Sequence, residues 1–372
     1  MISFHKFKLL LSSITICLVV CISCNTSTSS PPVYMTFNEI EYINQFPETF
    51  FLKKGENPEI DVIGIRDFRI FDSIMVMGTS NPNGIWSFIS LPSNKKLGSF
   101  LKRGEGPLEF MQGPSTSNGA TFVHENGRLL AFLYDFEKGD VKKFNISQSL
   151  NDGELHLTQI ESSLPPFLSN FIMLDSITYF TKEIGNRDTQ QLRFIYKNGE
   201  KISLPLLDRL NQAALKEGSD FNILATNTKF SDVKNRFIEA PTGLNYINIY
   251  ALDSSIVKTI CIGEELSDIS KIQDEWPQWD RKYVFVSNQA FDDFFGVIYV
   301  NESFKDYETI RKQLPSIMLF DWEGNPLAEL KMENHFTDFD IDFKRQELYT
   351  FDVHSDEFLK FDIQIVLQHL NK

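Results

Sequence analysis

The sequence predicts an all-β fold, a six-bladed β-propeller with four-stranded blades and small helical insertions. Short apolar or alternating runs recur between turn residues from about residue 35 onward, and long stretches of helical periodicity are rare. The 34 Phe residues in a chain of 372 favour flat sheets packed face to face. Short sequence repeats share one spacing, which distinguishes a repeat architecture from a β-sandwich.

Local patterns place individual elements of this fold. Two short helices are predicted at Leu206–Lys216 and Asp306–Leu314, the first because several of its leucines share one face. Hairpin turns are predicted at Lys197–Glu200 and Asp321–Asn325 from their turn-forming residues. Apolar or alternating runs predict six of the strands, at Ile74–Met77, Leu129–Leu133, Ile177–Phe180, Tyr246–Tyr250, Gly296–Val300 and Glu347–Phe351.

Repeated dipeptides give the period of the architecture. The pair Asp67-Phe68 recurs as Asp338-Phe339, at an offset of 271 residues. The pair Tyr134-Asp135 recurs as Phe351-Asp352, at an offset of 217 residues. Five units across the first offset and four across the second both give about 54 residues per unit, which suits a four-stranded blade with insertions.

Six units of this size fill the chain from about residue 60 to its end. The last unit contains only three strand candidates, so it is one strand short. We expect the N-terminal segment Thr49–Leu52 or Ile60–Ile63 to supply the missing strand and close the ring, which removes two exposed sheet edges. The units are placed near residues 60–112, 118–162, 168–222, 223–270, 278–333 and 334–372.

The N-terminus has the pattern of an export signal. Lys6 and Lys8 precede an apolar run at residues 9–21 that is shorter than a helix needs to span a bilayer. The residues Ile22-Ser23-Cys24 resemble the lipobox of bacterial lipoproteins, so Cys24 is the expected acylation site. An ordinary cleaved signal peptide that leaves Cys24 as a free thiol is the alternative.

The lipoprotein interpretation divides the chain into three parts. Residues 1–23 form the signal peptide, residues 24–35 a flexible tether rich in Ser, Thr and Pro, and residues 36–372 the propeller. Lipoproteins of Bacteroides-type bacteria that reach the cell surface favour an acidic stretch after the cysteine, which this tether lacks. We therefore expect the protein in the cell envelope, anchored to the outer membrane and facing the periplasm, with the cell surface as the alternative.

Charge and cysteine content restrict the partners. With 36 Lys and Arg against 50 Asp and Glu the formal net charge is -14, which argues against a nucleic-acid partner. The same charge gives no attraction to an anionic membrane, so acyl chains at Cys24 are the expected attachment. Cys261 is the only cysteine outside the signal and the lipobox, so no intrachain disulfide is expected, and its apolar neighbours predict a buried thiol.

One segment supports a family resemblance. The residues Gly104-x-Gly106-Pro107-x-Glu109-Phe110 resemble a motif of the TolB-like six-bladed β-propeller lipoproteins common in Bacteroides-type bacteria. The resemblance implies the propeller fold and an envelope location, and it transfers no catalytic residue to this chain. The glycines and proline are interpreted as a tight connection between blades one and two.

The candidate site lies where the repeats bring polar residues to the channel. Asp67 and Asp338 would occupy equivalent positions in blades one and six, which are neighbours in a closed ring. Two carboxylates there repel each other unless they are hydrogen-bonded or bridged by a cation. Arg66 lies beside Asp67, and Arg103 and Glu109 from the next connection complete the set of candidate binding residues.

Two functional classes follow. The first is a non-enzymatic, monomeric binding or scaffold module for a protein, peptide or glycan. The second is a hydrolase or lactonase that uses a divalent metal in the central channel. The first is preferred because no zinc-type histidine spacing and no Gly-x-Ser-x-Gly elbow occurs in the sequence. No catalytic residue and no cofactor is predicted, apart from that alternative channel cation.

Overall fold

The computed structural model describes residues 31–160, 164–187, 189–219, 221–274 and 281–370. Within the compact unit Val33–Lys372, six separate sheets each correspond to one blade, so the six-bladed β-propeller is confirmed. The predicted signal peptide and Cys24 lie outside the described residues. No helix among the described residues combines the length and apolarity needed to cross a membrane.

The first half of the ring consists of three four-stranded antiparallel blades. Two strands precede them, β1 (Glu39–Ile43) and β2 (Thr49–Leu52). Blade one contains β3 (Ile65–Phe71), β4 (Ile74–Thr79), β5 (Trp86–Ser90) and β6 (Lys95–Phe100). Blade two contains β7 (Ala120–Glu125), β8 (Arg128–Tyr134), β9 (Val141–Asn145) and β10 (Leu157–Ile160). Blade three contains β11 (Asn170–Asp175), β12 (Thr178–Gly185), β13 (Gln190–Lys197) and β14 (Glu200–Ile202).

The second half of the ring departs from this uniform pattern. Blade four contains β15 (Thr226–Ser231), β16 (Arg236–Pro241), β17 (Tyr246–Tyr250) and β18 (Val257–Ile262). Blade five contains β19 (Lys282–Ala290), β20 (Phe294–Ser303), β21 (Ser316–Asp321) and β22 (Pro326–Met332). Blade six has three strands, β23 (Asp338–Asp342), β24 (Glu347–Asp352) and β25 (Glu357–Asp362).

The helices are short and lie outside the sheets. They are α1 (Ile146–Asp152), α2 (Pro205–Asn211), α3 (Ile269–Asp274), α4 (Phe304–Thr309) and α5 (Gln364–Leu370), with a 3-10 turn at Phe221–Ile223. Both predicted helices form but end early. After α2, Ala214 forms a β-bridge with Gln190 of blade three, which withdraws the chain from the helix. After α4, Arg311 adopts a positive φ of 53°, which a helix does not allow.

Two faces of the ring are defined by the innermost strands β3, β7, β11, β15, β19 and β23. The connection face is the one on which these strands begin, after the connections from the preceding blades. The hairpin face is the one on which they end, in the hairpin loops 72–73, 126–127, 176–177, 232–235, 291–293 and 343–346. Each face has a cavity on the axis, lined by the starts or the ends of these strands.

The apolar core lies between the blades, in six clusters that each join two neighbours around the ring. Between blades one and two, Trp86 stacks on Phe122 with ring centroids 5.4 Å apart. The Trp86 indole N–H also donates a hydrogen bond to Pro114 O at 2.9 Å. The many Phe residues thus pack one sheet face against the next, and Cys261 is buried in the cluster between blades three and four.

The N-terminal strands do not lie where the sequence suggested. β1 pairs in parallel with β18 of blade four, and β2 pairs in parallel with β22 of blade five. Neither Thr49–Leu52 nor Ile60–Ile63 forms a strand of blade six. Among the described residues of the N-terminal segment, Glu56 alone forms a β-bridge to that blade, where Glu56 and Lys360 exchange two backbone hydrogen bonds of 2.9 Å.

Backbone geometry explains why this bridge does not extend into a strand. Lys54 and Glu59, on either side of Glu56, have positive φ angles of 54° and 53°. A residue in this left-handed region turns the chain out of the extended conformation that a β-ladder requires. Further upstream, Val33 donates its N–H to Asp268 Oδ1 at 3.0 Å, so the folded unit begins three residues before the boundary at residue 36.

Candidate functional site

Three of the five candidate residues lie together on the connection face. Arg66, Asp67 and Asp338 line a cavity of about 300 Å³ at the start of the channel. The rest of its lining is mostly polar and comes from four different blades, including Ser117, Asn227 and Ser287 together with Tyr283 and Tyr307. The two aspartates thus lie in neighbouring positions, as the repeat period predicted.

Asp67 is hydrogen-bonded by the connection that leads into blade two. Its Oδ2 accepts from Ser115 Oγ at 2.7 Å, and its Oδ1 accepts from Thr116 N at 3.2 Å and Thr116 Oγ1 at 2.8 Å. Gly78 faces this carboxylate, and a Cβ atom there would lie 2.2 Å from Asp67 Oδ1. Glycine at residue 78 leaves space for Asp67 to hold the connection in place.

Asp338 joins blade six to blade one. Its carboxylate accepts hydrogen bonds from Phe68 N at 3.3 Å and from Arg69 Nη1 at 3.0 Å, and both partners belong to β3. Both charged side chains of this ion pair are buried. Burial raises the pKa of Asp338, while the positive charge of Arg69 opposes that rise.

Asp340 repeats the same contact two residues further along β23. Its Oδ2 accepts a hydrogen bond from Ile70 N at 2.8 Å, which is the next amide along the edge of β3 that is not paired with β4. Burial raises the pKa of Asp340 to about 6, against the opposing effect of Arg69. Two carboxylates of blade six thus replace the carbonyl acceptors that a paired strand would offer.

A set of polar side chains blocks the axis between the two cavities. We call Arg69, Ser117, Lys229, Asp338 and Asp340 the channel plug. Arg69 donates to Ser117 Oγ, and Lys229 of blade four donates from Nζ to Ser117 O at 2.5 Å. Burial and the nearby positive charge of Arg69 together lower the pKa of Lys229 to about 7, while the carboxylates oppose the shift.

Arg103 and Glu109 lie on the same face but do not line the cavity. Glu109 accepts from Gly106 N at 3.0 Å and so closes the turn of its own loop. Arg103 is exposed, and no ion pair joins it to Glu109 in the part of the chain that the structure describes. A Cβ at Gly104 would lie 2.1 Å from Glu109 Oε2, so the motif glycine leaves room for this turn.

The donor set in the channel does not fit a divalent metal. Asp67, Asp338 and Asp340 are each engaged by hydroxyl, amide or guanidinium donors, and Arg69 places a positive charge among them. Within the described ranges, no three His, Cys, Asp or Glu side chains are grouped closely enough to share a metal ion. A cation bridging Asp67 and Asp338 would have to displace their present hydrogen-bond donors.

The larger cavity opens on the hairpin face and has a volume of about 870 Å³. Arg69, Ser117, Lys229 and Asp340 of the channel plug form its floor. Each of the six blades contributes one phenylalanine to its lining, at Phe71, Phe122, Phe171, Phe230, Phe291 and Phe343. Its rim carries acidic side chains from three hairpins, at Asp72, Asp232 and Asp292.

Sequence reasoning missed the residues that organise the channel. Asp340 belongs to the Asp-x-Asp alternation of β23, and Arg69 lies two residues after Asp67, so a strand register could have identified both. Lys229 follows no motif and reaches the axis from blade four. Only the ring geometry brings it to Ser117, because the two residues are 112 positions apart in the chain.

Comparison with known proteins agrees with this architecture. A family model described as TolB-like 6-blade propeller-like matches residues 66–344. The chain belongs to this TolB-like propeller family. A search of the curated proteins finds no significant match.

Solved structures similar to this TolB-like propeller have low sequence identity to it. A member of the DUF4221 family from Bacteroides vulgatus is 10% identical, with a TM-score of 0.50 over 89% of this chain and 94% of that chain. A protein of Bacteroides fragilis named as exported is 12% identical, with a TM-score of 0.45 over 84% and 87% of the two chains.

Proposed function

We propose that this TolB-like propeller is a lipid-anchored module of the cell envelope that binds a protein, peptide or glycan through its hairpin face. The observation that carries the proposal is the cavity of about 870 Å³ on that face, which is open at the rim and closed at the floor by the channel plug. This volume is in the range of ligand sites in proteins. Residues from all six blades line it, so a partner contacts several blades at once.

Binding without catalysis accounts best for the state of the polar groups. A general acid or base needs a proton-transfer atom that reaches the substrate. In the channel plug, Asp338 and Asp340 instead hold the amides of β3, and Arg69 is engaged by Asp338 and Ser117. The donor set likewise gives no support to the alternative of a metal-dependent hydrolase or lactonase.

The lining of the cavity suits recognition of an extended partner. Phenylalanine rings offer apolar faces for a side chain or a sugar ring, and Phe71 and Phe122 stack with centroids 4.3 Å apart. The rim carboxylates Asp72, Asp232 and Asp292 supply acceptors for amide or hydroxyl donors. The protein acts as a monomer in this proposal, since each ring contains a complete cavity.

Photo-crosslinking in the native bacterium tests the binding face. A benzophenone amino acid replaces Val233, an exposed residue of the cavity rim, and in a matched control it replaces Leu97, an exposed residue of the outer strand β6. We expect a discrete adduct at residue 233 and none at residue 97. Equal labelling at both positions, or no adduct at residue 233, contradicts the hairpin face as the binding surface.

Membrane attachment is tested at Cys24. The acidic domain has no electrostatic attraction to an anionic membrane, so acyl chains are proposed to supply the attachment to the outer membrane, facing the periplasm. We expect Cys24→Ala to release the protein from the membrane fraction. Two results together contradict the anchor: retention of that variant in the membrane fraction, and an N-terminal peptide of the wild-type protein that carries no acyl mass.

A further inference from the structure

A second surface lies on the connection face, away from the hairpin cavity. Four apolar side chains there are exposed to solvent, which we call the apolar patch: Leu108 (41%), Met111 (48%), Phe136 (36%) and Phe167 (61%). Their turns are neighbours. The rings of Phe136 and Phe167 are in edge contact with centroids 5.4 Å apart, and Lys138 joins the turn of Phe136 to the loop of Leu108.

The loop that presents Leu108 is held rigidly. Lys138 Nζ donates to Gly106 O at 2.8 Å and to Glu109 O at 2.9 Å, on either side of Leu108. Phe110 is fully buried beneath the loop, with Lys142 Nζ 4.5 Å from its ring centroid. The family-like motif at residues 104–110 therefore forms a fixed platform from which Leu108 points outward.

Phe167 is exposed in spite of a strained backbone. Its φ angle is 64°, a left-handed conformation that bulky residues rarely adopt. Tertiary contacts impose it: Phe167 N donates to Phe136 O at 2.7 Å, and Tyr134 donates from its hydroxyl to Pro165 O at 2.6 Å. Both the strained backbone and the exposed ring of Phe167 are unfavourable for the isolated domain. Together they point to a contact between Phe167 and another molecule.

The chain leaves the propeller on this same face. Val33 O accepts from Ile269 N at 3.0 Å, and Val33 N donates to Asp268, which follows the connection-face end of β18. Only eight residues, 25–32, separate Cys24 from Val33. Fully extended, they span about 30 Å, so an acylated Cys24 keeps the connection face near the bilayer.

We infer that the apolar patch rests on the bilayer that holds the anchor, with Phe136 and Phe167 among the lipid headgroups and the upper acyl chains. The inference rests on the proposed acylation of Cys24. The hairpin cavity then opens away from the membrane. Exposed charges of both signs border the patch, Lys102 and Arg103 against Glu105, so electrostatic attraction to lipid headgroups is weak. Burial of the apolar side chains therefore stabilises the contact.

Spin-label depth measurements on the acylated full-length protein, reconstituted in phospholipid vesicles, test this orientation. A nitroxide is attached to Phe167→Cys and, as the matched control, to Phe343→Cys, an exposed phenylalanine of the hairpin face. Cys261 is buried and Cys24 is blocked by acylation, so labelling is specific. We expect residue 167 to be accessible to oxygen and shielded from a water-soluble nickel complex, and residue 343 to show the reverse.

Each outcome separates the two proposals. Failure of the protein to partition into vesicles contradicts the acyl anchor, whereas a vesicle-bound protein with residue 167 exposed to the nickel complex overturns the membrane contact. Shielding of residue 167 in native membranes but not in lipid vesicles identifies a protein partner and also overturns it. The contact should persist from about 0.1 M to about 1 M salt, because it does not depend on charge. If Phe167→Cys does not fold, the same measurement at Leu108→Cys decides the question.

Discussion

Removal of the Asp338 carboxylate should strongly destabilise the ring, because this group joins blade six to blade one without a shared strand. The Asp338→Ala variant leaves the buried guanidinium of Arg69 without its carboxylate and removes the acceptor of Phe68 N. Breaking a buried ion pair by deleting one partner costs about 3–5 kcal/mol. We expect a loss of this size in the free energy of unfolding.

The expected change in melting temperature follows from the size of the domain. The unit Val33–Lys372 has 340 residues. At about 2.1 cal/mol/K per residue, its unfolding entropy is about 0.7 kcal/mol/K. A loss of about 3–5 kcal/mol therefore lowers the melting temperature by about 4–7 °C.

Calorimetry of two further variants checks the cause. Asp72→Asn removes an exposed negative charge from the hairpin of blade one, and Asn tolerates the positive φ of 53° at this residue, so we expect it to change the stability by less than about 0.5 kcal/mol. Arg69→Met combined with Asp338→Ala should be more stable than Asp338→Ala alone, because no charge is left unpaired. A shift below about 1 °C for Asp338→Ala, or additive losses in the double variant, would refute this account of ring closure.

Three more predictions follow from the same structure. Folding raises the pKa of Asp340 from 3.8 to about 6, so the native state binds more protons in this window. The stability of the wild-type protein relative to Asp340→Asn should therefore fall by about 2 kcal/mol between pH 4 and pH 7 in urea titrations. Gly139→Ala should lower the free energy of unfolding by about 1–3 kcal/mol more than Gly127→Ala: both glycines have positive φ, but only at residue 139 would a Cβ meet backbone, 2.5 Å from Leu164 O. Deletion of residues 36–65 removes β1, β2 and the Glu56 bridge, so light scattering should show aggregation; a monomeric product with an unchanged melting transition contradicts the role of this segment.

The sequence was sufficient to predict the architecture because each blade repeats one local pattern. The shared spacing of the Asp-Phe pairs gave the unit size, and the boundaries near residues 118, 168, 223, 278 and 334 each precede the innermost strand of a blade. The turn at Asn198-Gly199 was predictable for the same local reason. Both residues adopt positive φ, which a two-residue hairpin of this type requires.

The path of the N-terminal segment was not predictable from local pattern. Thr49–Leu52 has an apolar strand pattern that suits the edge of blade five as well as that of blade six. Lys54 and Glu59 carry no sign of their positive φ angles, since neither is a glycine or an asparagine. The pairing was decided by tertiary contacts such as those of β2 with β22, which no single segment encodes.

The candidate site was predictable only in part, for a related reason. Asp67 and Asp338 each begin an Asp-Phe pair, so the repeat period predicted that they lie in neighbouring blades. Their partners come from other parts of the chain: Thr116 of the connection into blade two binds Asp67, and Arg69 of blade one binds Asp338 from 269 positions away. Hydrogen bonds among residues this far apart in sequence depend on the closed ring, so local spacing identified the carboxylates but not the groups that engage them.

The way the ring closes also determines which part of the molecule is available to a partner. The channel plug lies between the two axial cavities and lines the floor of the one on the hairpin face, so a partner on that face meets the rim of the cavity first. The hairpins of blades four and six, residues 232–235 and 343–346, are the longest of the six, and each carries an exposed apolar side chain, Val233 or Phe343. Contacts at the rim are therefore expected to be strongest on the side of the ring formed by these two blades and by blade five between them.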